Sequence, residues 1–329
     1  MKVGHGSAPG KVIIAGEHSV VYGYPAIAVA LGIRCNIITS DSEPGIFINS
    51  LDLNKNFRYS IRDLSQLGRG ELIDKEFDSI ALAVKETLKR INHDTNIEIQ
   101  IRSDIPISAG LGSSAAVVVA SIAAVLDLYN KELSKEDISN IAFESEKITH
   151  GKPSGIDNSI ATYGGLLKFQ NGKLIPKLLK NSIPLIVGNT KVPRDTKRLV
   201  GGVADLKNQY SSLIDPILKI MGNLAEEAEI SLENRDLEKL GDILDINQGL
   251  LDSIGVGNEV LSNYIWTARK AGALGAKLTG AGGGGCMIAL AKDNESLQEI
   301  VYKLKSDNLN IIATEISQVG VIIGEYKNE

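Results

Sequence analysis

Between residues 97 and 102 the chain alternates strictly, with Ile97, Ile99 and Ile101 on one face and Glu98, Gln100 and Arg102 on the other. A period of two with one apolar face predicts a half-buried strand. A short connection containing Pro106 leads from it to Gly110-Leu111-Gly112-Ser113-Ser114, and an alanine-rich apolar run over 115–126 then predicts a buried helix. The runs 12–15 and 26–31 read as further strands or short apolar elements. Ser134 is placed to cap a helix that extends to about Thr149, with Ile138, Ile141, Ala142 and Ile148 as its buried side.

After Gly164-Gly165 the pattern changes. Residues 166–169 and 183–187 read as strands joined by polar residues. Helical stretches follow near 196–211, 213–231, 235–253 and 257–271, and two strands near 285–291 and 311–325 close the chain. Strands and helices in mixed order, without a steady β-α-β-α alternation, predict α+β layers rather than a doubly wound parallel sheet. A boundary between two domains is expected near residue 180, and 329 residues are enough for two domains.

Composition narrows the partners. A hydrophobic content of 43% with 23% charged residues is that of an ordinary soluble chain. A net charge of −5 argues against nucleic acid or an anionic membrane surface, so positive potential for any phosphate ligand must be local. Cys35 and Cys286, far apart and without metal-type spacing, fit buried thiols in a reducing compartment. The apolar run 115–126 falls short of the roughly 20 residues a bilayer span needs. Charged and glycine-rich residues precede the first apolar run, so no signal peptide is expected and the expected location is cytoplasmic.

Four segments carry candidate chemistry. In the first, residues 106–117, glycines and serines stand directly before an apolar helix. That arrangement suits a phosphate on a helix N-terminus, where backbone N–H groups and the helix dipole favour an anion. The Ser113 and Ser114 hydroxyls add hydrogen bonds or a magnesium ligand. The same residues fit a serine-capped turn before a buried helix equally well. A dinucleotide fingerprint is excluded, because the glycines do not follow the strand directly and Asp127 ends the same helix. The second segment, residues 8–18, places Lys11 before an apolar strand and Glu17-His18 after it, so that three polar groups can converge on one pocket; taken alone, they fit surface positions as well. In the third, Glu146 and His150 share a helix face, and a Pro/Gly turn delivers Asp157 within Ser-Gly-Ile-Asp-Asn, a position suited to chemistry or to an Asx turn. The fourth, residues 277–286, holds four consecutive glycines that suit close approach to a ligand or a tightly crossed loop.

Together these segments resemble the GHMP small-molecule kinases. Residues 9–18, 110–116 and 278–285 match that superfamily's three signature motifs in the right order. The variants Gly-Glu-His-Ser-Val-Val-Tyr-Gly (16–23), His-Gly-Lys-Pro-Ser-Gly-Ile-Asp-Asn (150–158) and Val-Pro-Arg-Asp-Thr (192–196) are characteristic of its mevalonate-phosphorylating branch. The resemblance implies an N-terminal domain like ribosomal protein S5 domain 2, a ferredoxin-like C-terminal domain, and an active site between them. It implies transfer of the ATP γ-phosphoryl group to the C5 hydroxyl of mevalonate. By carry-over Pro106, Gly110, Leu111, Gly112, Ser113, Ser114, Ala115 and Ala116 bind ATP, while Ser114 and Glu146 hold Mg²⁺. Asp157 takes the hydroxyl proton, Lys11 stabilises the alkoxide, and Glu17, His18, Thr196 and Ala281 line the mevalonate pocket. The implied partners are mevalonate and ATP, with neither nucleic acid nor membrane, and a homodimer is compatible with the pattern. Retention of Lys11, Glu146 and Asp157 argues against a silent sensor on the same fold, since a pure binder gains nothing from a base aimed at a hydroxyl.

Overall fold

The computed structural model describes residues 2–325 apart from Glu71, Ser108, 151–153, Leu178, Lys180 and Asn181, with His150 and 313–315 described by their backbone alone. Strands Val3–Ala15 (β1) and Ala26–Asp41 (β2) run antiparallel, Gly4 opposite Thr39 and Val12 opposite Val29. Gly45–Ser50 (β3) and Lys55–Tyr59 (β4) form a hairpin. Asn96–Ser103 (β5) lies between the second half of β2, to which it is antiparallel, and β3, to which it is parallel. Its Ile97, Ile99 and Ile101 are all buried, as the alternation requires. Leu166–Gln170 (β6) pairs with the first half of β2 and carries Lys173–Lys177 (β7) on its outer side.

Pro184–Asn189 (β8), Gly275–Thr279 (β9), Cys286–Leu290 (β10) and Ile311–Glu315 (β11) form a second, antiparallel sheet in the order β11-β8-β10-β9. Counted along the chain this is 4-1-3-2, the ferredoxin-like arrangement expected for the C-terminal half. Ile322–Ile323 (β12) then returns to β1, and Leu31 bridges to Ile316, so the end of the chain ties the second sheet to the first. The helices are Ile61–Gln66 (α1), Asp78–Arg90 (α2), Ser113–Leu128 (α3), Lys135–His150 (α4), Ile156–Tyr163 (α5), Thr196–Gln209 (α6), Ser211–Asn234 (α7), Leu237–Ser253 (α8), Glu259–Lys270 (α9) and Asn294–Ser306 (α10). The fold is thus the two-domain α+β arrangement. Among the described residues no helix is long and apolar enough to cross a membrane.

The structure departs from the sequence pattern in instructive places. β1 begins nine residues before the apolar run 12–15, because Gly4, His5, Gly6 and Ser7 have the composition of a loop and yet form strand. The glycines are there for α3, which lies directly on β1. A Cβ at Gly4 would overlap the Ala124 carbonyl and Leu128, and one at Gly6 would overlap the Ala120 carbonyl and the Ala124 nitrogen. α3 is apolar on nearly every side because it is buried on nearly every side, from Ala115 to Leu128. The expected strand over 311–325 is two strands belonging to different sheets. β9 gave no strand signal, since Lys277 interrupts its apolar residues although all five of its residues are buried. α4 starts where expected, with the Ser134 hydroxyl accepting from Asp137 N at 3.0 Å, although Ile148 is only half-buried. Cys35 and Cys286 are buried free thiols. The expected boundary near 180 falls partly outside the described residues.

Gly6 and Gly201 give opposite expectations for the same substitution. Gly6→Ala forces a methyl group into the α3 backbone and should destabilise the protein by about 1–3 kcal/mol. Gly201 lies in α6 with nothing within 4 Å of an added Cβ, so Gly201→Ala should stabilise by about 0.5–1 kcal/mol. Urea unfolding of the two variants checks both signs.

Candidate active site

The site is built around the contact between β1 and the N-terminus of α3. Gly110 and Gly112 both have left-handed backbone, at φ 79° and 74°, and each makes room for a cationic side chain. A Cβ on Gly112 would lie 2.9 Å from Lys11 Cγ, and one on Gly110 would overlap the Arg194 guanidinium. The loop is pinned to β1 twice: Lys11 N donates to the Leu111 carbonyl at 2.8 Å and Lys11 Nζ donates to the Gly110 carbonyl at 3.2 Å. Leu111, Ala115 and Ala116 bury their side chains in the core. What this segment offers outward is therefore the first-turn N–H groups of α3, which have no intrahelical acceptor, and the half-buried Ser113 and exposed Ser114 hydroxyls. Gly110, Gly112, Ser113 and Ser114 line a cavity of about 400 Å³, with Asp157 and Arg194 and an apolar wall that includes Phe77, Ile80 and Val117. Pro106 is half-buried in the connection behind it, and Ser108 lies outside the described residues.

Lys11, nearly buried, points at the catalytic candidate. Its Nζ lies 3.3 Å from Asp157 Oδ1. Asp157 is in the first turn of α5, delivered by Gly155 in the left-handed region at φ 80°. Its side chain remains 42% exposed, so one face of the carboxylate is open to a ligand. Glu146, buried on α4, faces the same charges. Its carboxyl is pushed up to about 8, first by burial and then by the negative charge of Asp157, with Lys11 opposing. At neutral pH it holds a proton unless a cation arrives. The Ser114 hydroxyl and the Glu146 carboxylate are hard oxygen donors of the kind Mg²⁺ prefers, and two carboxyl groups that repel each other are the arrangement a divalent cation relieves.

The structure also assigns a place to Arg194, a residue inside the 192–196 motif for which sequence reasoning found no role. Cβ atoms at Gly280 and Gly285 would come within 2.8 Å of its Nη1 and 3.2 Å of its Cδ. Together with Gly110, glycines from two distant loops carve the slot for one guanidinium. Burial lowers its pKa, and its Nη1 is buried without a hydrogen-bond partner among the described residues. The only sequence signal was an arginine after proline, just before the Asp195 cap of α6.

The four expected substrate residues do not form one surface. His18 has a positive φ, 59°, with ψ −46°. It donates from Nε2 to the Ala281 carbonyl at 3.0 Å, so those two are together. Burial lowers the His18 pKa, which keeps the ring neutral and leaves Nδ1 an acceptor, itself buried without a partner among the described residues. Glu17 turns the other way: both carboxylate oxygens are engaged inside the protein, one with Lys277 Nζ and one with Asn247 Nδ2 at 3.2 Å. Thr196 is exposed at the first position of α6. Beside it a second cavity of about 590 Å³ is lined by Arg194, Asp195, Arg198 and Gly283 among others.

Comparison with known proteins fits this geometry. The GHMP kinases N terminal domain matches residues 78–165 and the GHMP kinases C terminal domain matches residues 228–310. A mevalonate kinase of Pyrococcus horikoshii is 40% identical over 97% of each chain. The crystal structure of the Methanococcus jannaschii mevalonate kinase superposes with a TM-score of 0.82 at 34% identity, covering 94% of this chain and 97% of that one. That of L. major mevalonate kinase, in complex with R-mevalonate, superposes with a TM-score of 0.79 at 28% identity, covering 95% and 96%. A glycine- and serine-lined loop at the head of a buried helix, a lysine–aspartate pair beside it and full-length similarity agree: the chain belongs to the GHMP kinase family, within its group of mevalonate kinases.

Proposed function

We propose that this chain transfers the γ-phosphoryl group of ATP to the C5 hydroxyl of mevalonate, giving 5-phosphomevalonate and ADP for isoprenoid precursor biosynthesis. The observation that carries the reading is the Lys11–Asp157 pair, 3.3 Å apart at the mouth of the Gly110–Gly112 loop. A phosphoryl transfer asks little covalent chemistry of a protein; it asks for positioning, a proton acceptor and positive charge. The α3 N-terminus, with Gly110, Gly112, Ser113 and Ser114, supplies the cradle for the phosphates. Asp157 accepts the C5 hydroxyl proton as the oxygen bonds to the γ-phosphorus and the bond to ADP breaks. Lys11 lowers that hydroxyl's pKa and stabilises the developing alkoxide. Arg194, held over Gly110 with a free N–H, is placed to neutralise charge on the transferring group. Ser114 and Glu146 would hold Mg²⁺, whose charge neutralises the β- and γ-phosphates when bound. We divide the chain at about residue 180: Lys11, the cradle and Asp157 then stand on one side, Arg194 and the glycine-rich loop on the other, and the reaction lies where they meet.

Asp157→Asn keeps shape but cannot take a proton. General-base contributions of about 10²–10⁴ set the expectation that kcat falls by at least ~10²-fold with ATP binding little changed. Because Lys11 stabilises the alkoxide that Asp157 generates, Lys11→Met and Asp157→Asn should be non-additive, the double variant little worse than the poorer single one. Single-turnover kinetics decide it; a variant retaining more than about a tenth of the parent rate removes Asp157 as an essential base.

The metal prediction follows from the raised Glu146 carboxyl. A proton bound more tightly in the folded state stabilises the metal-free protein at low pH, and this contribution is lost as pH rises through about 8. Mg²⁺ competes with that proton, so its half-saturating concentration should fall between pH 7 and pH 9. Glu146→Gln should raise the Mg²⁺ requirement and flatten its pH dependence. Rates measured against Mg²⁺ at several pH values test this, and unchanged curves in the variant would remove Glu146 from the metal site.

Thr196 and His18 separate the two substrates. Thr196→Ala and His18→Ala should raise KM for mevalonate more than KM for ATP, and losses that fall mainly on ATP would assign these residues to the nucleotide half of the cleft.

A further inference from the structure

Three residues at alternate positions of one stretch, Lys277, Thr279 and Ala281, reach across from the second sheet to the end of β1 and the turn after it. Lys277 Nζ meets Glu17 Oε1. The Thr279 hydroxyl both donates to the Ile13 carbonyl at 3.0 Å and accepts from Ile13 N at 2.9 Å. The Ala281 carbonyl accepts from His18 at 3.0 Å. Lys277 and Thr279 stand two apart in β9 and so share one face, while Ala281 follows in the turn and contributes its backbone carbonyl. The first is the unusual one, since the Lys277 and Glu17 side chains are 0% and 1% exposed. Around them Lys277 also donates to the Leu278 carbonyl at 2.6 Å, Asn247 donates to the other Glu17 oxygen, and Gln248 Oε1 accepts from Leu278 N at 2.8 Å.

We propose that Lys277 is a positioning residue for the alcohol substrate: through Glu17 it fixes the turn that holds His18 in its positive-φ conformation at the mevalonate site. The inference rests on the reading that this turn meets mevalonate. A β-substituted residue at φ 59° persists only where its surroundings over-determine it. The turn's own bonds, Ser19 N to the Glu17 carbonyl at 2.6 Å and Val20 N to the Gly16 carbonyl at 3.1 Å, fix its shape but not its place. Its place is set by Glu17 on Lys277 and by His18 on Ala281. A buried ion pair adds little net stability over apolar residues of similar size, because desolvating two charges offsets most of their attraction. What an apolar pair lacks is direction. The pair accordingly fixes register between the two sheets more than it holds them together.

Steady-state kinetics on three variants test this. Lys277→Met alone leaves a buried carboxylate without its counter-ion and is a folding risk. The decisive protein is therefore the double variant Glu17→Leu/Lys277→Met, which removes both charges. It should melt no lower than the parent, yet show KM for mevalonate raised about 10-fold or more, with kcat and KM for ATP within about 3-fold. His18→Ala serves as the reference for the turn itself. If His18→Ala raises the mevalonate KM and the double variant does not, the inference is overturned and the reading of the turn stands. If the double variant fails to fold, or if kcat and both KM values move together, the pair is structural and the inference is likewise overturned. If His18→Ala leaves the mevalonate KM unchanged, the turn does not meet mevalonate and the underlying reading falls with it.

Discussion

The closeness of α3 to β1 sets the geometry of everything else in the molecule. Two glycines at the start of β1 let the helix backbone lie against the strand backbone. Further along the same strand Lys11 hydrogen-bonds the loop at the head of the same helix. The helix axis and the lysine are therefore referenced to one rigid strand. On the proposed reading, a phosphate at the helix N-terminus would be held at a fixed distance from the Lys11 ammonium group, without any side chain having to reach. Such a site loses little freedom when substrate binds, which is where positioning contributes most to rate.

Charge is managed on a smaller scale than the molecule. The chain is net negative, and Asp52, Glu76 and Asp157 are among the residues lining the cavity; close to Asp157 stand two cations, Lys11 and Arg194. Each is partly desolvated, which strengthens its field on a phosphate. Glu146 shows the other side of the same economy: in a poorly solvated position beside Asp157 it takes up a proton instead of a charge. Asp157 differs in exposure, its side chain being 42% exposed beside Lys11. Burial, with the neighbouring Asp157 charge, thus raises the proton affinity of Glu146, which on the proposed reading suits it to a cation rather than to the substrate proton.

The parts of this site that were legible in the sequence are those where chemistry dictates residue type locally. Glycines before a buried helix, a lysine on the strand and an aspartate after a Pro/Gly turn each announce themselves within ten residues of chain. Alternation in β5 and the apolar run of α3 were legible for the same reason. The polar half of β1 was not, because its glycines answer to a helix more than a hundred residues away. Arg194 was not, since its slot is formed by glycines at 110, 280 and 285, none of which signals an arginine. Glu17 reads in the sequence as a pocket residue, whereas both its carboxylate oxygens are engaged by Lys277 and Asn247 inside the protein.

Lys277 carries that argument furthest. In the sequence it only opens the glycine-rich segment 277–286, yet it is fully buried. A lone lysine is placed in a core only if a carboxylate is delivered to it, and here the carboxylate comes from the far side of a domain contact, 260 residues away. Neither half of the chain can satisfy its buried charge alone, so correct docking of the halves is enforced by the penalty for leaving either group unpaired. Apolar packing between the sheets would tolerate a small slide; a paired charge with Asn247 on its other oxygen does not. On the proposed reading, with the phosphate cradle on one half and Arg194 and Ala281 on the other, the transfer would need that intolerance, because its geometry would be shared between them.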